Sequence, residues 1–182
     1  GDDMCGRYFF QLQNQALPLI SNHEQLVLFD FHQGEIFPTQ QTLVITANGC
    51  DIIGQVMKWG IKGYHGNVLI NARSEGIHER KTFRPFLNKR CLIIANGFYE
   101  WQKHGSHKDK IYIRKKNQPY LFMAGIYNEQ GEYVIVTGAA QKEMAQLHHR
   151  TPIIMDEHSG LKYLEHKQSF TVDNEGLIFQ KV

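Results

Sequence analysis

The stretch from Arg90 to Trp101 constrains this chain more tightly than any other. Cys91-Leu92-Ile93-Ile94 is a run of β-formers, and nothing from Cys91 to Tyr99 carries a charge, so a buried strand is expected. Asn96-Gly97 then supplies a kink or tight turn before a second short strand. Alternation along that second strand puts Phe98 and Glu100 on one face and Tyr99 and Trp101 on the other. A carboxylate on an apolar face is costly unless it is paired, exposed at a strand end, or used in chemistry. The stretch alone leaves all three open.

The remaining sequence reads as more short strands. Arg7 to Phe10 forms the first, and Thr42 to Ala47 with Asp51 to Trp59 forms a hairpin about Asn48-Gly49. Val68 to Ile70 is another, after which Asn71-Ala72-Arg73-Ser74-Glu75 leaves the strand for a short helix or loop. Lys110 to Arg114, Tyr120 to Tyr127, Tyr133 to Thr137 and Ile153 to Met155 follow, separated by turn-rich segments. Helices are expected from Leu26 to Phe31 behind a Ser21-to-Glu24 capping box, from Ala139 to His148, and from Asp156 to Glu165. A closing hairpin is expected about Asp173-Asn174-Glu175-Gly176. Many short strands with few helices predict one α+β domain, residues 4–182, on a strongly curved, mostly antiparallel, barrel-like sheet.

At 182 residues, 42% hydrophobic and 21% charged, the chain can bury one sizeable core and is not disordered. No apolar run approaches the roughly 18 residues of a membrane span. Gly1-Asp2-Asp3 is acidic with no apolar stretch behind it, so it reads as a leader or expression remnant rather than a signal peptide. Cys5, Cys50 and Cys91 are odd in number and far apart, which suits neither a disulfide framework nor a zinc site. A reducing, cytoplasmic setting is expected, without metal or membrane. Residues 71–91 carry a net +4 and residues 102–116 a net +5, so within a total of +2 the remainder is −7. That asymmetry suggests either a basic face for a polyanion or a pair of solvated loops.

Chemistry could reside in Cys5, Asn71, Glu100 and His148 or His149. Cys5 directly follows Met4, so loss of Met4 would give it a free α-amine beside its thiol. An α-amine with a pKa near 8 is partly unprotonated at neutral pH, and a 1,2-aminothiol condenses with an aldehyde to a thiazolidine. An imidazole at 148 or 149 can shuttle protons or simply complement a helix end. Asn71 at a strand end suits a turn as well as a site.

Met4-Cys5-Gly6-Arg7-Tyr8, Pro38-Thr39, Trp59-Gly60, Asn71-Ala72-Arg73-Ser74-Glu75, Arg90-Cys91-Leu92, Gly97-Phe98-Tyr99-Glu100-Trp101 and His148-His149-Arg150-Thr151-Pro152 resemble, in order and spacing, the SRAP (SOS-response-associated peptidase) family. The sequence departs from the family pattern in that Trp59-Gly60-Ile61-Lys62-Gly63 lacks the proline usual after this tryptophan motif, Ile94 replaces a proline, Thr151 replaces a Met, and Tyr127 stands where a Trp is common. The resemblance implies single-stranded DNA with abasic sites as partner, and no cofactor. It implies that an N-terminal Cys5 forms a Schiff base and then a thiazolidine cross-link. Asn71 would orient the sugar or amine, Glu100 would act as acid and base, and His148 aligns with the family's histidine. Arg7, Arg73, Ser74 and Arg150 would meet the DNA, while Trp59 with Pro38 and Thr39 would shape its channel. Two other classes compete: a cysteine peptidase using Cys5 and His148, acting first on its own leader, and a non-catalytic single-strand-binding module.

Overall fold

The computed structural model describes residues 5–13, 17 and 19–182; Met4 and the three residues before it, expected to be a leader or expression remnant, lie outside these. In chain order the strands begin with β1 (Tyr8–Phe10), β2 (Gly34–Ile36), β3 (Gln41–Asn48), β4 (Asp51–Trp59), β5 (Ile61–Lys62), β6 (Val68–Leu69) and β7 (Asn71–Arg73). They continue with β8 (Arg90–Ala95), β9 (Gly97–His104), β10 (His107–Lys115), β11 (Leu121–Tyr127) and β12 (Glu132–Ala139). Helix α1 (Lys142–Leu147) precedes β13 (Arg150–Pro152) and β14 (Ile154–Met155), and α2 (Glu157–Leu164) precedes β15 (Leu177–Lys181).

Five strands close on themselves. β12 pairs in parallel with β4, β4 with β3, β3 with β8, β8 with β11, and β11 back to β12. Closure removes the open edges that a flat sheet would expose. It needs Gly125 on β11, where an added Cβ would sit 2.5 Å from Ile93, 2.9 Å from the Cys91 sulfur and 3.0 Å from the Val134 carbonyl. The curved, mostly antiparallel architecture expected from the strand pattern is therefore present.

A second sheet, ordered β15-β10-β9-β1-β2, lies against this ring. The chain passes from one to the other at Asn96, between β8 and β9. There the Asn96 amide donates to the Phe9 carbonyl (2.8 Å), and its side chain accepts from Gln11 N (2.7 Å) and donates to the Pro119 carbonyl (3.1 Å). A side chain that satisfies three segments at once makes the kink a fixed corner. The inward residues Tyr8, Phe10, Ile36, Phe98, Ile111 and Ile113 are buried in one continuous core with the ring's Leu92, Ile93 and Val134.

Several local expectations are corrected. Behind Ser21 the chain forms a 3-10 helix, His23–Leu28, without the capping box. Ser21 Oγ instead donates to Ile52 O (3.2 Å), and Asn22 clasps Gly54 through both backbone groups (2.8 and 3.0 Å). The hairpin loop is Gly49-Cys50, with Gly49 supplying φ +64°. Asn71–Arg73 does not leave the strand: it is β7, paired in parallel with Ile135 to Thr137 of β12. α1 starts only at Lys142 because Ala139 still pairs with Arg150. No hairpin forms at 173–176. Asn174 turns inward to accept from Gln141 N (3.0 Å) and donate to Thr151 Oγ1 (2.9 Å), and β15 pairs with β10 instead.

Candidate active site

Glu100 lies on the inward face of β9, as alternation requires, and is 2% exposed. Its Oε1 has no hydrogen-bond partner. Burial pushes the carboxyl from 4.5 up to about 8, with the Trp101 backbone bond opposing the shift. A buried carboxyl with an unpaired oxygen is held mostly protonated at pH 7, ready to give a proton to a bound group or, once ionised, to take one.

His148 arrives from the opposite side. Its backbone leaves α1 extended (φ −153°, ψ 148°) after its N–H closes the helix onto Met144 O (2.9 Å). Its Nδ1 lies against the Arg150 backbone, 3.1 Å from the amide nitrogen and 3.3 Å from the carbonyl oxygen, which fixes the ring with Nε2 turned toward Glu100. Nε2 stands 3.9 Å from Glu100 Oε2, one small closure from a hydrogen bond. His149 stacks on His148 with ring centroids 4.6 Å apart and is itself exposed, so the two candidate imidazoles separate: His148 faces Glu100.

Cys5 is buried, its Sγ 4.0 Å from the Arg7 carbonyl. Burial and then the charge of Glu100 push its thiol well above the ordinary 9.0, against the smaller pull of a backbone hydrogen bond at Arg7. Asn71 Nδ2 donates to the Cys5 carbonyl (3.2 Å) and to the Ile70 carbonyl (3.1 Å). The β7 pairing fixes that amide, so Cys5, Asn71, Glu100 and His148 meet where β7, β9 and the end of α1 converge.

The residues expected on DNA divide. Arg73 is exposed, with Nε 3.9 Å from Glu75 Oε2, and Ser74 is half-buried beside it, its Oγ 3.3 Å from Glu75. Thr39 is exposed in the turn after β2, where it has φ +76° and donates its N–H to Trp59 O (2.7 Å); Pro38, half-buried, precedes it. Arg7 pairs with Glu35 (3.1 Å) and lies over the Phe37 ring. Trp59 is a core residue, 0% exposed. It stacks near-parallel on Tyr133 (6.5 Å) and donates Nε1–H to Ile70 O (3.0 Å). It shapes the site from behind, through Ile70 and Asn71, and has no surface to offer a nucleotide.

Arg150 is also buried, 3% exposed, and ties Glu75 Oε2 (2.9 Å) to Thr137 Oγ1 (3.1 Å). Although burial alone would raise Glu75, the Arg150 bond and charge hold it below 4.5. Sequence reading assigned no role to Glu75 or Thr137. The available signal was Glu75, an acid placed directly after an Arg-Ser pair in an otherwise basic segment.

The chain matches the family described as "SOS response associated peptidase (SRAP)" over residues 4–181. It belongs to that family. Among curated relatives, this SRAP chain is 27% identical to the abasic site processing protein YoqW of Bacillus subtilis, over 91% of the chain and 82% of that protein. It is 29% identical to the abasic site processing protein YoaM of the same organism, over 91% and 81% respectively. The SRAP fold also superimposes on the crystal structure of a phage-related protein of Bordetella bronchiseptica with a TM-score of 0.73. That match has 19% identity and covers 98% of this chain and 94% of the other.

Proposed function

We propose that the protein captures abasic sites in single-stranded DNA by a covalent bond to Cys5. The observation that carries this reading is Glu100, buried with one oxygen unpartnered and its pKa at about 8, beside Cys5 and His148. An abasic deoxyribose is an aldehyde closed into a ring. Protonated Glu100 gives its proton to the ring oxygen while the C1′ hydroxyl gives up its own to water, so that the ring opens, and the Cys5 α-amine attacks the freed aldehyde carbon. Loss of water yields a Schiff base. The thiol sulfur then adds to that carbon while its proton reaches the nitrogen by way of the Glu100 carboxylate, closing a thiazolidine. A thiol pushed above 9.0 is neutral at physiological pH, so a base in contact is what this last step needs.

The amine exists only after the Met4–Cys5 bond is cut, by removal of Met4 or by self-processing. A general cysteine peptidase is the poorer reading, because such an enzyme lowers its thiol's pKa and here burial raises it. Mixing the protein with an abasic single-stranded oligonucleotide and running a denaturing gel tests the proposal. A heat-stable shifted band is expected for the wild type, Cys50→Ala and Cys91→Ala, and none for Cys5→Ala. A stable adduct in Cys5→Ala would sink it.

A further inference from the structure

The strand that aims Glu100 inward aims Trp101 and Tyr99 the other way, Trp101 half-buried and Tyr99 covered by its neighbours to 9% exposure, and that outer face carries its own pattern. Register places Trp101 opposite Lys110 and Tyr99 opposite Tyr112. The contacts between them form one unbroken series. Phe37 lies under the Arg7 guanidinium (3.9 Å), which also lies over Trp101 (5.0 Å). The Lys110 ammonium sits over both Trp101 (5.9 Å) and Tyr99 (4.4 Å). Tyr99 meets Tyr112 at 5.2 Å, and Tyr112 meets Phe9 at 6.3 Å. Gly97 makes room for the Tyr112 ring, since a Cβ there would lie 2.6 Å from it, so the ring lies down against the sheet.

Charge follows the same alternation. Lys108, Lys110 and Arg114 all fall on this face of β10, and Lys103 stands directly opposite Lys108. Glu35, the one acid that the register places on this face among the described residues, is shared by Arg7 and Lys110. The basic segment 102–116 is therefore one half of a hairpin whose cations border a continuous row of rings.

We propose that the outer face of the β15-β10-β9-β1-β2 sheet is a stacking platform for unpaired bases of single-stranded DNA, additional to the cleft at Cys5. Rings and guanidinium planes accept bases of any sequence, and flanking cations take the phosphates between them. The platform stands without the capture chemistry, and its test avoids it.

The chain has two tryptophans, and Trp59 is fully buried, so intrinsic fluorescence quenched by a stacked base reports Trp101. Cys5→Ala protein titrated with an undamaged, fluorophore-labelled oligo(dT) should bind by anisotropy and lose tryptophan emission. Trp101→Phe in the same background should keep binding within about threefold and lose the quench, since a ring remains to stack. Lys108→Glu with Arg114→Glu should bind at least about tenfold more weakly, with a log–log salt slope shallower by about 1.4, for two phosphates of a single strand. Binding without quenching, or a double variant that binds as its parent does, overturns the platform. A capture reading that failed would show instead as wild-type protein forming no adduct with an abasic oligonucleotide while this titration was unchanged.

Discussion

Glu100 binds its proton more tightly in the folded protein than in the unfolded chain, about 8 against 4.5, because folding strips water from the carboxylate. The folded state therefore holds more protons between those two values. Stability falls as pH rises from about 4.5 to about 8 and is flat on either side as far as this group is concerned. Glu100→Gln removes that slope, so the difference in urea midpoint between variant and wild type should grow in the variant's favour from pH 5 to pH 8. The same change should slow adduct formation or reversal by about 10²- to 10⁴-fold, the range of general acid–base catalysis. An unchanged rate in both directions would return Glu100 to a purely structural role. Its strangeness was legible in the sequence, since an acid in phase with Phe98 on a buried strand has few excuses. Its unpartnered oxygen was not, because nothing in the local sequence says what a carboxyl will fail to meet. Trp59 and Arg150 misled for the opposite reason: residue types usual on DNA-binding surfaces are buried here by partners distant in sequence, Tyr133 for one and Glu75 for the other.

The strands themselves were legible wherever alternation ran between turn residues, as in β3–β4 and from β8 into β9. A curved, barrel-like sheet was legible too, but the strand pairing that closes it was not. The parallel pairing of β12 with β4 and with β7 joins segments far apart in sequence, and local periodicity carries no mark of such a register. Missing that pairing is what made Asn71–Arg73 read as the start of a loop. Once it is known, the Arg150 tie gains a purpose: it fastens the turn after β7 to β12 and β13 and so holds the Arg150 amide against His148. Glu75→Gln keeps the shape of this tie and removes its charge. A loss of about 1–2 kcal/mol is expected at pH 7, the lower part of the range for a hydrogen bond to a charged group, because Glu75 is 53% exposed. Glu75's depressed pKa stabilises the fold above about 4.5 and is lost as pH falls, so the variant and wild type should converge in acid. Equal urea midpoints at pH 7 would show that the tie contributes nothing. At the corner, Gly97→Ala places a methyl 2.6 Å from the Ile113 carbonyl and the Tyr112 ring. It should cost about 1–3 kcal/mol by forcing β9 and β10 apart, measurable in the same titration.

Across the whole molecule, charge and chain chemistry have to agree. Segments 71–91 and 102–116 hold the excess cations of a protein whose remainder is net −7. If both follow the strand, affinity for single-stranded DNA should fall with salt by roughly 0.7 log units per log unit for each phosphate engaged. Arg73→Ala should weaken all sequences alike and flatten that slope, and salt-independent binding would remove the basic face. Affinity alone does not make a covalent bond, however. While Met4 is attached, the Cys5 nitrogen is an amide, whose lone pair is delocalised into the Met4 carbonyl, and it cannot form a Schiff base. A version of the protein beginning at Met4 should lose that methionine in cells, show the corresponding intact mass, and cross-link abasic DNA. The longer chain should bind with the same affinity, since the cations are unchanged, but cross-link only in the fraction whose mass shows loss through Met4. Glu100 and His148 lie beside Cys5, so that fraction should grow with time in the purified wild type and fail to grow in Glu100→Gln if the fold cuts its own leader. A chain verified by mass to retain Met4 that nonetheless forms the heat-stable adduct would show that the α-amine is not the reacting group.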